Sequence, residues 1–191
     1  LTDCLDLATA AIREKRVDVY HRTILRMEAY VTSVNSNFHQ VMEGHTGYTP
    51  QKAEGLAEVA RNGGHHVETI CEVGFNAGHS ALNWLLHSRP SVRVLAFDLG
   101  KHAYVRHSRD YLQRMFPGRL EFIFGNSKET IPAHTMSEKQ AGRGPRICNV
   151  AFIDGDHKEE GAYADLVSFE ALANRLFYVI LISRVRAGPL R

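Results

Sequence analysis

The chain has 191 residues, 44% hydrophobic and 23% charged, with a net charge of +2. That length gives one domain, or one domain with an N-terminal extension, and the balance excludes a disordered chain and strong steering toward nucleic acid or a membrane surface. No apolar run reaches the about 20 residues that span a bilayer, and Leu1-Thr2-Asp3-Cys4-Leu5-Asp6 lacks the basic-then-apolar layout of a signal peptide. Residues 3–43 read as largely helical, because Leu5, Ala8, Ile12, Ile24, Met27, Val31 and Val34 recur at helical spacing. This N-terminal helical extension, expected over 1–48, carries no legible motif. Gly44 to Tyr48 is a loop. Thr49 then supplies an N-cap and Pro50 the first helical position, and the helix runs through Leu56, Val59 and Ala60 to stop at Gly63-Gly64.

Val67 to Val73 is apolar apart from Glu68, Thr69 and Glu72, as suits a buried parallel strand. Gly74-Phe75-Asn76-Ala77-Gly78 follows, and from Ser80 an apolar helical pattern begins. A strand, a glycine turn and a helix start form a cradle for a cofactor. The spacing is G-x-x-x-G. The dinucleotide fingerprint G-x-G-x-x-G needs a second glycine where this chain has Asn76. Glu72 would also repel a pyrophosphate, whereas it suits a ligand with a positive amine. An ordinary strand-to-helix turn is the competing reading. On these residues the segment resembles motif I of the class I S-adenosylmethionine-dependent methyltransferases, E-x-G-x-x-x-G. The resemblance implies an α/β, doubly wound, Rossmann-like parallel sheet over residues 49–191. It implies S-adenosylmethionine as cofactor, with Glu72 on the methionine amine and Gly74, Asn76, Gly78 and Ser80 around the cradle. In the small-molecule O-methyltransferases the loop before the first strand's leading helix touches the cofactor, which makes Tyr48 and Thr49 contact candidates.

Strands and helices alternate from here on, as a parallel sheet with right-handed crossovers requires. Strands are expected at 67–73, 92–98, 119–125, 147–153 and 176–182, and helices near 78–88, 102–116, 127–139 and 159–174. The second strand ends in Asp98, roughly 20 residues beyond the glycine loop, where such folds place the carboxylate for both ribose hydroxyls. The third ends at Gly125-Asn126-Ser127. In the resembling family this corner lies against the adenine, so Asn126 and Ser127 join the cofactor set. Capping of the next helix is compatible with that role.

The fourth strand delivers Asp154-Gly155-Asp156-His157 at its carboxyl end, the binding end of open α/β sheets. With Glu159 to Leu166 this resembles the motif IV region of a group that includes metal-dependent O-methyltransferases. The resemblance implies Asp154 as a metal, cofactor or substrate ligand and His157 as general base. A histidine near neutral pKa suits removal of a hydroxyl proton, and a carboxylate-bound Mg²⁺ would acidify that hydroxyl. Helix capping is the competing role of Asp156. The fifth strand departs from the pattern: where those relatives carry an acidic pair, Ile182-Ser183-Arg184 stands. Any Mg²⁺ site is therefore expected to be weak, and the chain to be a truncated form that ends after its fifth strand.

An exposed fifth strand would invite pairing, so a homodimer through it is expected. The acceptor is expected to be a small molecule with a hydroxyl. The alternative is a catalytically inactive module of the same fold that binds or dimerises. A nicotinamide dehydrogenase is disfavoured by the glycine spacing and by Glu72. Cys4, Cys71 and Cys148 form an odd, unclustered set with no disulfide framework and no zinc spacing. Cys71 and Cys148 fall in expected strands, where cysteine acts as a small hydrophobe. A reducing, cytoplasmic setting is the expectation, with targeting left open because the chain begins at Leu1.

Overall fold

The computed structural model describes residues 2–34, 42, 49–63, 66–142, 147–156 and 158–181. Two helices, α1 (Thr2–Val34) and α2 (Pro50–Asn62), precede an alternating series. It comprises β1 (Thr69–Val73), α3 (His79–His87), β2 (Arg93–Asp98), α4 (Tyr104–Met115), β3 (Leu120–Phe124), α5 (Ser127–Gln140), β4 (Cys148–Ile153), α6 (Glu159–Glu170) and β5 (Ala173–Leu181). The strands form one sheet in the order β3-β2-β1-β4-β5, parallel throughout. This is the doubly wound architecture expected from the alternation.

Strand periodicity sorts the core into two layers. Ile70, Val94, Ala96, Val150 and Phe152 pack with Ala81, Trp84 and Leu85 of α3, Ala53 and Leu56 of α2 and Tyr104 and Leu112 of α4. On the other face Cys71, Val73, Leu95, Phe97, Ala151 and Ile153 meet Ile131 of α5 and Phe169 of α6. The N-terminal helix belongs to the first layer. Tyr20, Ile24, Met27 and Val31 follow one helical stripe, and all four are buried. Val34, assigned to that stripe from spacing, is exposed.

From β1 onward the element bounds fall within a residue or two of those expected, except at the last crossover; the helix expected over 3–43 is described as far as Val34. There α6 stops at Glu170 and β5 begins at Ala173. The early start follows from pairing, since Ala173 lies opposite Cys148 and the Cys148 N–H donates to the Leu172 carbonyl at 2.8 Å.

One expectation is overturned. Cys71 and Cys148 are not separate small hydrophobes: they are joined by a disulfide between β1 and β4, their Cα atoms 5.8 Å apart. The pairing of β4 with β5 shifts register between Cys148 and Val150. Cys148 lies on the same face as Ala151, three residues on, and so on the face of Cys71. Strict alternation would put positions 148 and 151 on opposite faces. With the pair joined, cysteine usage no longer argues for a reducing compartment. Among the described residues no helix is long and apolar enough to cross a membrane.

Candidate active site

Parallel register sets Val73 beside both Phe97 and Ile153. The segments that follow β1, β2 and β4 therefore open into one mouth at the carboxyl end of the sheet. The chain leaves β1 through two glycines in the left-handed region, Gly74 at φ 91° and Gly78 at φ 80°, with Asn76 between them at φ 50°. A Cβ on Gly74 would overlap the Asp154 carbonyl, and one on Gly78 would lie 2.8 Å from the Phe75 ring. Both glycines are thus demanded by how the protein packs on itself, and Gly74 brings the first loop against the fourth. Asn76 tolerates this conformation. Its side-chain oxygen accepts from the Tyr104 hydroxyl at 2.6 Å, and its backbone N–H donates to Asp98 Oδ2 at 2.8 Å.

Asp98 is half-buried, and each oxygen is held by one backbone N–H: Asn76 on Oδ2, Gly100 on Oδ1 at 2.6 Å. Each oxygen keeps a second lone pair, as acceptance from a vicinal diol requires. The Gly125 N–H donates to the Asp98 carbonyl at 2.9 Å, which ties the Gly125-Asn126-Ser127 corner to the same acid. Asn126 is exposed and caps α5, its Oδ1 accepting from the Lys128 N–H at 3.2 Å. An amide oxygen has a second lone pair, so capping and acceptance from a ligand are compatible.

Glu72 is completely buried; neither carboxylate oxygen makes a hydrogen bond of good geometry among the described residues, although the Ser80 hydroxyl and the Trp84 indole lie close enough to favour its charged form. Burial pushes its carboxyl up to about 8; the Ser80 hydroxyl and the Trp84 indole pull it partly back, and Asp154 and Asp98 push it further. Ser80 itself is buried in the first turn of α3. Three acids thus surround the glycine loop, and the innermost is held largely protonated for want of a counter-charge. Such a site favours a cation and disfavours phosphate.

Asp154 is half-buried at the end of β4, and its N–H donates to the Val73 carbonyl at 3.0 Å. Its Oδ2 accepts from Lys52 Nζ at 3.1 Å. Asp156 closes the turn ahead of α6, Oδ1 accepting the Lys158 N–H at 3.0 Å, and a Cβ on Gly161 would overlap its side chain. His157 and Tyr48 lie outside the described residues, as do Ile182-Ser183-Arg184. Thr49 sits at the N-cap of α2, its carbonyl accepting the Ala53 N–H at 2.9 Å.

Several residues about the mouth went unnoticed in the sequence. Tyr104 fixes Asn76. Tyr20 donates from its hydroxyl to the His79 carbonyl at 2.8 Å and Glu28 lies 3.0 Å from His79 Nε2, so α1 clamps the residue that opens α3. Asp165 of α6 is buried beneath Gly155 with neither oxygen hydrogen-bonded among the described residues. Burial raises its pKa, against the Ser127 hydroxyl. Lys52 left a faint signal: it stands in the first turn of a helix, where the dipole disfavours a cation unless an acid opposes it. A cavity of about 470 Å³ lined by Thr69, Arg93, Glu121, His134 and Ile147 opens at the amino end of the strands, away from this mouth.

The fold is a doubly wound α/β domain with an acid-lined glycine loop at the carboxyl edge of its sheet. The family model described as a methyltransferase domain matches residues 71–176, more than half of the chain, and the chain belongs to that methyltransferase family. Among solved structures it is similar to an O-methyltransferase from Bacillus cereus in complex with S-adenosylhomocysteine. The two are 18% identical with a TM-score of 0.57, over 80% of this chain and 62% of that one. It is also similar to a Staphylococcus aureus protein described as a caffeoyl-CoA O-methyltransferase, 13% identical with a TM-score of 0.51, over 87% of this chain and 68% of that one. At these identities the likeness is one of fold. The chain spans about three-fifths of the length of the Bacillus cereus enzyme. No curated protein matches in sequence.

Proposed function

We propose that the chain binds S-adenosylmethionine and directs its methyl group to a hydroxyl of a small molecule. The observation that carries this reading is the buried Glu72 carboxyl, flanked by Asp98 and Asp154 and without a cationic partner among the described residues. A doubly cationic ligand with a ribose answers both needs at once. Its ammonium and sulfonium supply the missing positive charge, and its diol meets the open lone pairs of Asp98. Family membership and the S-adenosylhomocysteine bound by the Bacillus cereus protein support the same ligand.

In this reading Glu72, with Gly74 and Gly78, holds the methionine end, and Ser80 keeps Glu72 oriented. Asn76 positions Asp98 for the ribose. Asn126 and Ser127 border the adenine. Asp154 faces the place where cofactor and acceptor meet, and His157 takes the acceptor's proton. When bound, the cofactor supplies a methyl on a sulfonium, which departs as a neutral thioether while the carbon–oxygen bond forms. Alignment of the two reactants and removal of one proton are what remain for the protein. Pairing of a second copy along β5, an edge of the described sheet, belongs to the same proposal.

Calorimetric titration of S-adenosylmethionine into the full chain tests the reading. Micromolar binding is expected, lost in Asp98→Ala and kept in His157→Ala, while turnover of a hydroxyl acceptor is lost in His157→Ala. Absence of binding by the folded wild type sinks the proposal.

A further inference from the structure

A divalent cation at Asp154 would need several oxygen ligands converging on one point. The donors present do not offer that. Among the described residues no group of three His, Cys, Asp or Glu side chains converges as a metal site. Asp156 is engaged on the Lys158 N–H and wedged against Gly161. Asp98 is turned toward Asn76 and Gly100 by two backbone N–H groups, and Glu72 is sealed in the core. What faces Asp154 is an ammonium. Lys52 reaches it from α2, 102 residues away in sequence, with both side chains mostly buried at 24% and 20% exposure. The same Nζ lies 5.7 Å from the centre of the Phe152 ring, so an aromatic face and a carboxylate hold it between them.

We propose that Lys52 takes the place of a divalent metal in this site. The inference rests on the methyltransferase reading for its purpose, but its geometry is independent of it. The ammonium neutralises Asp154, which would otherwise face Glu72 and Asp98 as a third unpaired acid. It also sets a fixed positive charge beside the acceptor position, where a charge biases a hydroxyl toward its anion. An ammonium has three N–H groups, and the bond to Asp154 uses one of them. A metal ion brought to Asp154 would have to displace Lys52 or sit against its charge.

The test is a Mn²⁺ titration of the full chain, followed by the electron paramagnetic resonance of free Mn²⁺. Wild type and Asp154→Asn should bind Mn²⁺ equally weakly. Lys52→Met, which keeps the apolar stem over Phe152, should bind at least about tenfold more tightly, because a neighbouring like charge is gone, and Lys52→Met/Asp154→Asn should lose that gain. Lys52→Arg, should Lys52→Met not fold, must stay as weak as wild type. Micromolar Mn²⁺ binding by wild type that Asp154→Asn abolishes would overturn the proposal. S-adenosylhomocysteine binding measured with chelator and with Mg²⁺ should give one affinity. Failure to bind under either condition would overturn the cofactor reading alone, since the Mn²⁺ comparison decides Lys52 without it.

Discussion

Glu72 offers a quantitative handle on the cofactor reading. Its carboxyl is held at about 8 by burial, so at pH 7 it is about nine-tenths protonated before any ligand arrives. A cation in the cradle stabilises the carboxylate and must expel that proton. Apparent affinity for S-adenosylmethionine should therefore rise about tenfold between pH 6 and pH 7, with close to one proton released per ligand. The ligand's own α-ammonium stays protonated over this interval, and Tyr20 stays neutral because burial pushes its phenol further up. Calorimetry at pH 6.0, 6.5 and 7.0, in two buffers of different ionisation enthalpy, reads both quantities (approximate settings chosen to lie below the Glu72 value). Glu72→Gln keeps the volume and removes the titration. Its binding should be flat across this range, release no proton and be weaker at pH 7 by roughly ten- to a hundredfold, the weight of a charge-assisted hydrogen bond. Wild-type affinity that is flat with pH, or a Gln variant with the wild-type profile, would refute the claim that Glu72 answers a cation.

Three further outcomes are expected. Gly74→Ala forces a Cβ onto the Asp154 carbonyl at a positive φ, so thermal or urea melts should show a loss of about 2–4 kcal/mol. An unchanged midpoint would mean that the first and fourth loops are not in contact. Reducing the Cys71–Cys148 bond, which closes a separation of 77 residues, should cost about 4 kcal/mol on the chain-entropy account, read as a lower urea midpoint with reductant that is absent in Cys71→Ser. Asp165 is raised by burial, so its share of stability is full below the unfolded carboxyl pKa and is lost as pH rises through the folded value. Asp165→Asn should then leave stability near pH 4 about unchanged and raise it at neutral pH, and equal wild-type and variant urea midpoints at pH 7 would count against a strained buried acid.

The parts of the fold legible in the sequence are those where one local pattern dominates. The apolar runs ending in Glu72, Asp98 and Asp154 mark buried parallel strands, and the glycines mark their exits. The register of β1 with β2 and β4 then makes three acids from three separate strand ends one site. The glycines were legible as tight turns, which their positive φ values bear out, but the packing of Gly74 against the Asp154 carbonyl was not. The disulfide was hidden because alternation from Ala151 points position 148 to the opposite face, whereas Cys148 shares the face of Ala151 and Cys71. The integration of α1 was visible as a stripe of apolar residues, yet its grip on His79 through Tyr20 and Glu28 leaves no periodic trace. Lys52 belongs with these. Its partner is a strand end 102 residues away, so a sequence reading meets it only as a lysine poorly placed in a helix's first turn. The misplacement is itself informative, because a charge the helix dipole disfavours must be held by something outside the helix. Here that something is Asp154.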